Sequence, residues 1–169
     1  GRIRGLFTEI GWELRGEELA HADTIYRRAY ENSRRAVPGV ITIIQALKKT
    51  MKIAVVTNGL VVEQDAKIKL CGLEGWFDEI VIAECAVVKK PQKEIFQIAL
   101  SALEVSPDEA VVIGDSWKLD VLGARNAGIP AVWFNRYEEK CPEPGLAVEI
   151  TSLEPTENLV RILSEFGRG

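Results

Sequence analysis

The run Val111-Val112-Ile113-Gly114-Asp115 sets the terms for the rest of the chain. Consecutive β-branched residues favour extended backbone, and with no polar residue alternating among them they leave no face for water. A strand of this kind belongs inside a sheet covered on both sides, the environment of parallel α/β sheets. Further apolar runs of similar length are Lys52–Thr57 (KIAVVT), Glu79–Ala83 (EIVIA), Pro130–Phe134 (PAVWF) and Leu146–Ile150, and Ile3–Ile10 (IRGLFTEI) reads as a first strand ahead of a turn-rich stretch. Helical spacing fills the intervals. Leu19, Ala22, Ile25, Tyr26, Ala29 and Tyr30 predict a helix from Glu17 to Arg35, with acids at its start and bases at its end to match the helix dipole. Helices are also predicted over Val40–Lys49, Val62–Leu70 before Gly72, Gln92–Leu103 behind Pro91, Leu122–Ala127 before Gly128, and Thr156–Phe166. Strands alternating with helices imply βαβ units. The expected architecture is a three-layer α/β/α Rossmann-like fold with a mostly parallel sheet, in one domain over residues 1–169.

Composition narrows the function classes. At 169 residues with 47% hydrophobic and 27% charged residues the chain can bury a sizeable core, and a formal charge of -4 argues against a broad nucleic-acid surface. Apolar runs stay well short of a membrane span, so no membrane association is expected and a cytoplasmic location is. Cys71, Cys85 and Cys141 are widely spaced, with no C-x-x-C pair, which indicates neither a disulfide framework nor a zinc site.

Polar groups of complementary kinds gather at the predicted strand ends. Thr57 and Asn58 follow the second strand, Lys90 precedes the helix after the third, and Asp115 and Asp120 follow the fourth. Ligands of open α/β sheets sit outside the carboxyl ends of the strands. A hydroxyl beside backbone N–H groups, an ammonium and a pair of acids suit a phosphoryl group held with Mg²⁺. Each residue alone has a plainer reading: Thr57 as a turn residue, Lys90 as solvated surface, the two aspartates as caps of the following helix. Trp12 and Trp117 either pack simply or roof a phosphate pocket, and His21 reads as a surface or partner-facing residue of the helix from Glu17 to Arg35.

The motifs VVTNG, KKPQKEIF and VVIGDSWKLDVLGARNAGIPAVWFNR resemble the second, third and fourth motifs of the haloacid dehalogenase-like hydrolase superfamily, a resemblance that runs from about Pro38 to Arg136. It implies Thr57 as the phosphate-binding hydroxyl, Lys90 as the third-motif lysine, and Asp115 as a metal ligand with Asp120 as its companion. The GDS form is similar to the phosphatases of that family. Its first motif, D-x-D-G-T at the end of a strand, is replaced in IRGLFTEIGWEL by Glu9, Gly11, Trp12 and Glu13. The resemblance therefore implies Mg²⁺-dependent phosphatase-type hydrolysis of a phosphomonoester, either a phosphorylated small molecule or an exposed phosphate on a larger substrate. In that reading Glu9, Thr57, Lys90 and Asp115 are catalytic, Thr57, Asn58 and Lys90 bind phosphate, and Glu9, Asp115 and Asp120 hold the metal. The alternative is a catalytically impaired relative with a binding or scaffold role, because Glu9 and Gly11 stand in place of the aspartate pair. The resemblance also implies that residues 15–37 are a reduced helical cap or cap remnant, whose short helix offers a surface for a homo-oligomer.

Overall fold

The computed structural model describes residues 2–9 and 11–166, with the backbone alone for residues 2–4 and 6. The chain divides into two compact units, Gly1–Arg35 and Ala36–Gly169. That division falls inside residues 15–37, where the sequence suggested a cap remnant rather than a boundary.

The first unit corrects the expectation of an opening strand. Residues Arg2–Glu9 form helix α1. The reason is legible in the spacing: Ile3, Leu6, Phe7 and Ile10 recur at i, i+3, i+4 and i+7, a helical period rather than the alternation a strand requires. Gly11 ends the helix. Its φ of 80° is left-handed, its N–H bonds Thr8 O at 3.0 Å, and the N–H of Trp12 reaches back to Phe7 O at 2.7 Å. Those paired bonds, with the Trp12 ring stacked on Phe7 at 6.2 Å, make a helix-terminating motif with its apolar contact. Gly11 is thus required by backbone geometry. Helix α2, Gly16–Ser33, follows with Glu17 and Glu18 in its first turn, and it has no buried residue.

In the second unit the predicted elements appear in order. They are α3 (Val40–Leu47), β1 (Ala54–Thr57), α4 (Val61–Leu70), β2 (Glu79–Ile82), the short α5 (Ala83–Ala86), α6 (Lys93–Leu103), β3 (Val112–Gly114), α7 (Leu122–Asn126), β4 (Ala131–Phe134), β5 (Val148–Ile150) and α8 (Thr156–Phe166). The segment between β3 and α7 is a π-helical turn, Trp117–Val121, in which Val121 N bonds Ser116 O five residues back. Every ladder is parallel, but the strands form two sheets, β1–β2 and β3–β4–β5. Both sheets contribute to the same two cores. On one face Val56, Val81, Val112 and Trp133 pack with Ile95, Phe96 and Ala99 of α6 and Ala124 of α7. On the other, Ile53, Val111, Val132 and Ile150 pack with Ile43 and Leu47 of α3 and Leu159 and Leu163 of α8. The result is an α/β/α sandwich of Rossmann-like type. β4, paired on both sides, is the most sealed strand, with Val132 at 0% and Trp133 at 2% exposure. Among the described residues, no helix is long and apolar enough to cross a membrane.

A carboxylate ties β1 to the turn before β2. Asp78 accepts the Ile53 N–H at 2.7 Å, meets Lys48 Nζ at 2.5 Å, and returns its own N–H to Ile53 O at 2.8 Å. The Lys48 hydrogen bond, then that of Ile53, holds the Asp78 carboxyl below the ordinary carboxylate range. Because the folded value lies below the unfolded one, this stabilisation is complete above the unfolded value and is lost as pH falls through the folded one. Asp78→Asn is expected to lower stability at neutral pH and to flatten the acid limb of a stability-against-pH curve. Urea titrations from neutral to acid pH measure this, and an unchanged acid limb in the variant would contradict the assignment.

Candidate functional site

The carboxyl ends of β1 and β3 converge on one lysine. At the end of β1 the hydroxyl of Thr57 accepts the Gly59 N–H at 3.2 Å, which curls the chain away from the strand and leaves the hydroxyl proton free to point outward. Asn58 clamps the backbone of the loop that carries Lys90: its Nδ2 donates to Lys90 O at 3.0 Å, and its Oδ1 accepts the Lys90 N–H at 2.7 Å. Lys90 is then held from both ends, because its Nζ donates to Asp120 Oδ1 at 2.6 Å. Lys89, its neighbour, is exposed.

Asp120 is positioned with equal care. Its side chain is 9% exposed, against 16% for that of Lys90, and its other oxygen accepts the Ser116 N–H at 3.0 Å. Ser116 caps the π-helical turn, accepting the Leu119 N–H on its hydroxyl at 3.2 Å. The side chain of Asp120 lies directly over Gly114, where an added Cβ would stand 2.3 Å from its Cβ. Only glycine leaves room for that approach. Trp133 Nε1 holds the carbonyl of Asp115 at 3.1 Å, while the exposed Asp115 carboxylate makes no hydrogen bond or ion pair among the described residues.

Thr57, Asn58, Lys90, Asp115 and Asp120 therefore lie at one end of the two sheets, where Asn58 and Asp120 both hold Lys90. Asp120 accepts the Lys90 ammonium on one oxygen and the Ser116 N–H on the other, so both of its oxygens are engaged within the chain. The side chain of Asn58 spends its Oδ1 and one Nδ2 hydrogen on the Lys90 backbone, leaving its backbone N–H and the second Nδ2 hydrogen for a phosphate. Glu9 lies on helix α1 and is exposed. The strand that put it at a sheet mouth does not exist, and its reading as the first-motif carboxylate loses its basis. Trp12 packs on Phe7, and Trp117 meets Trp133 edge to face with centroids 5.0 Å apart, so simple packing accounts for both rings.

The donor set fits a magnesium ion in part. Asp115 offers an uncommitted, exposed carboxylate of the hard oxygen type Mg²⁺ takes, and that ion commonly draws its remaining ligands from water and substrate. No group of three or more His, Cys, Asp or Glu side chains among the described residues stands ready to hold a metal. Sequence reading missed two further contributors, Ser116 and Trp133. The serine had a signal, since it stands directly before the helical segment as a cap residue does; the indole N–H to Asp115 O had none.

Comparison with known proteins extends the picture. A family model described as haloacid dehalogenase-like hydrolase matches residues 3–128. The chain is 34% identical to pyrimidine 5'-nucleotidase YjjG of Escherichia coli over 128 residues, 73% of this chain and 56% of that protein. It is 36% identical to glyceraldehyde 3-phosphate phosphatase of Pyrococcus furiosus over 111 residues, 63% of this chain and 46% of that one. The chain thus spans about half the length of these curated relatives. Among solved structures, the HAD-hydrolase YfnB of Bacillus subtilis bound to magnesium superposes with a TM-score of 0.78 at 29% identity, covering 96% of this chain and 69% of that one. A HAD phosphatase from Thermococcus onnurineus gives 0.70 at 31%, covering 91% and 68%.

Removal of either member of the buried pair strands the other. Lys90→Met and Asp120→Leu are each expected to cost on the order of 3 kcal/mol, and the double variant less than the sum of the two. Urea denaturation of the three proteins measures the coupling, and strictly additive losses would contradict a desolvated pair.

Proposed function

This chain belongs to the haloacid dehalogenase-like hydrolase family, and on that premise we propose that it serves phosphatase-type hydrolysis of a small phosphomonoester. The observation that carries the reading is the Lys90–Asp120 pair, which, with the Asn58 clamp on the Lys90 backbone, fixes a cation at the carboxyl ends of β1 and β3. One ammonium hydrogen of Lys90 is used by Asp120, and the other two are available for phosphoryl oxygens. The Thr57 hydroxyl and the Asn58 N–H supply further donors from the end of β1. Donors fixed before the substrate arrives stabilise the charge of phosphoryl transfer without reorganising during it. Asp115 is the residue that would hold Mg²⁺, whose chemistry when bound is to neutralise phosphoryl charge and orient the group. The relatives named for a nucleotide, a triose phosphate and phosphoserine support a small phosphate ester as substrate.

A second reading is favoured by one observation. Glu9 lies on a helix, and both oxygens of Asp120 are engaged by Lys90 and Ser116, so of the three carboxylates that the sequence suggests as metal ligands Asp115 is the one left uncommitted at a strand end. On that reading this chain binds phosphate without turning it over.

Turnover of p-nitrophenyl phosphate, with and without Mg²⁺, separates the two. The hydrolase reading expects metal-dependent release of p-nitrophenol that falls by about 10²-fold or more in Lys90→Met and in Asp115→Asn, with Glu9→Gln unchanged. Full activity in Asp115→Asn would contradict it. Phosphate binding without any turnover selects the second reading.

A further inference from the structure

Gly59 stands in the loop after β1 for a reason that its backbone does not supply. Its φ lies outside the left-handed region that favours glycine. What glycine provides there is space. The side chain of Gln64, from the start of α4, folds back over it: an added Cβ would stand 2.7 Å from Gln64 Cδ and 3.1 Å from Cγ, and would overlap Nε2 outright. Helical side chains lean toward the N-terminus of their helix, so a residue early in α4 is delivered toward the strand end that precedes it. The end of β3 is built in the same way. Gly114 is likewise outside the left-handed region, and the polar side chain laid over it, that of Asp120, is the one that holds Lys90.

Gln64 differs from Asp120 in having nothing to hold. Its carboxamide makes no hydrogen bond among the described residues. The residue is half-buried, and because Arg34 Nε is the one described side-chain atom both sealed from water and unpartnered, the amide still meets solvent. Its seat belongs to the phosphate-facing loop. Gly59 beneath it gives its N–H to Thr57 Oγ1 at 3.2 Å, and Asn58, the residue before, clamps Lys90. The first N–H of α4 is already taken, since that of Val61 goes to Glu84 Oε2 at 2.7 Å.

We propose that Gln64 is a specificity-determining residue of the strand-end site: its carboxamide reads the organic part of a phosphate ester and favours esters with a hydroxyl or carbonyl oxygen close to the phosphoryl group. The assignment rests on the phosphate-binding reading of Thr57, Asn58 and Lys90. Two features direct the amide to the ester rather than to the phosphoryl group. Ionised phosphoryl oxygens only accept hydrogen bonds, and three residues already offer them donors, whereas a carboxamide both donates and accepts, as a hydroxyl does. Gln64 also sits one residue beyond Asn58, past the donors that close the strand. A site that hydrogen-bonds a substrate hydroxyl discriminates against the analogue that lacks it.

The dissociation constants of 2-hydroxyethyl phosphate and n-propyl phosphate, which differ by a hydroxyl in place of a methyl, test the assignment without turnover. Both are read from the backbone amide resonances of Thr57 and Asn58 in the wild-type chain, in Gln64→Met and in Gly59→Ala. The wild type is expected to bind the hydroxyl ester about three- to tenfold more tightly, the span of one neutral hydrogen bond, with a shift of the Gln64 side-chain amide that the propyl ester does not produce. Gln64→Met removes the amide while keeping an unbranched side chain, and Gly59→Ala keeps the amide but fills its seat, so the preference is expected to fall to parity in both. Equal affinity for the two esters in the wild type, or a preference that survives in either variant, would overturn the proposal and leave phosphate binding at Thr57 and Lys90 standing. If neither ester moves Thr57 and Asn58, the phosphate-binding reading fails and the role of Gln64 fails with it.

Discussion

A salt bridge buried at the end of a sheet is an awkward thing to build, and the second unit is arranged around one. The pairing of Lys90 with Asp120 draws two charges out of water, and it is favourable only if their remaining hydrogen-bonding groups are satisfied. The protein meets that demand from every side. Asn58 holds the lysine backbone, Ser116 N–H takes the second carboxylate oxygen, and Gly114 leaves the space that any side chain would fill. Each of these groups comes from a different strand end or the turn after it, so the pair also fixes how the ends of β1 and β3 stand to each other.

The chemistry follows from that arrangement. A free lysine at a strand end would be a mobile cation; a lysine clamped at its backbone and its ammonium is a charge of fixed position, which is what phosphoryl transfer asks of a protein group. The same logic recasts Asp120 as the residue that orients Lys90, with Asp115 as the carboxylate left for a cation. Membership of the haloacid dehalogenase-like hydrolase family and the strand-end geometry point the same way.

Much of this was legible in the amino-acid sequence, and the reasons it was or was not are physical. The buried strands were plain because parallel strands covered on both faces carry unbroken apolar runs, as Val111-Val112-Ile113 and Ala131-Val132-Trp133 do. Helix α8 was plain because Leu159, Val160, Ile162 and Leu163 keep a helical period from Thr156 to Phe166. The convergence of Thr57, Lys90 and Asp115 could be read because strand ends of an open α/β sheet lie together whatever their separation in the chain. Their partners could not. The Asn58 clamp and the Lys90–Asp120 bond join positions about thirty residues apart, and nothing local announces them. Ile3–Ile10 departs from the expected strand for a different reason: its apolar residues keep an i, i+3, i+4, i+7 spacing that suits the helix Arg2–Glu9, and the left-handed backbone of Gly11 makes that glycine a helix terminator.

The central claim is that the ends of β1 and β3, joined through Lys90, form a phosphate-binding site. The most direct measurement is a titration of the isotopically labelled chain with inorganic phosphate, followed through backbone amide and lysine side-chain NMR resonances. The account predicts saturable shifts at Thr57, Asn58, the Lys90 side chain and Asp115, with Val148–Ile150 and Thr156–Phe166 unmoved. Shifts that fail to saturate, or that cluster on exposed lysines such as Lys89 and Lys118 while Lys90 stays still, would contradict it.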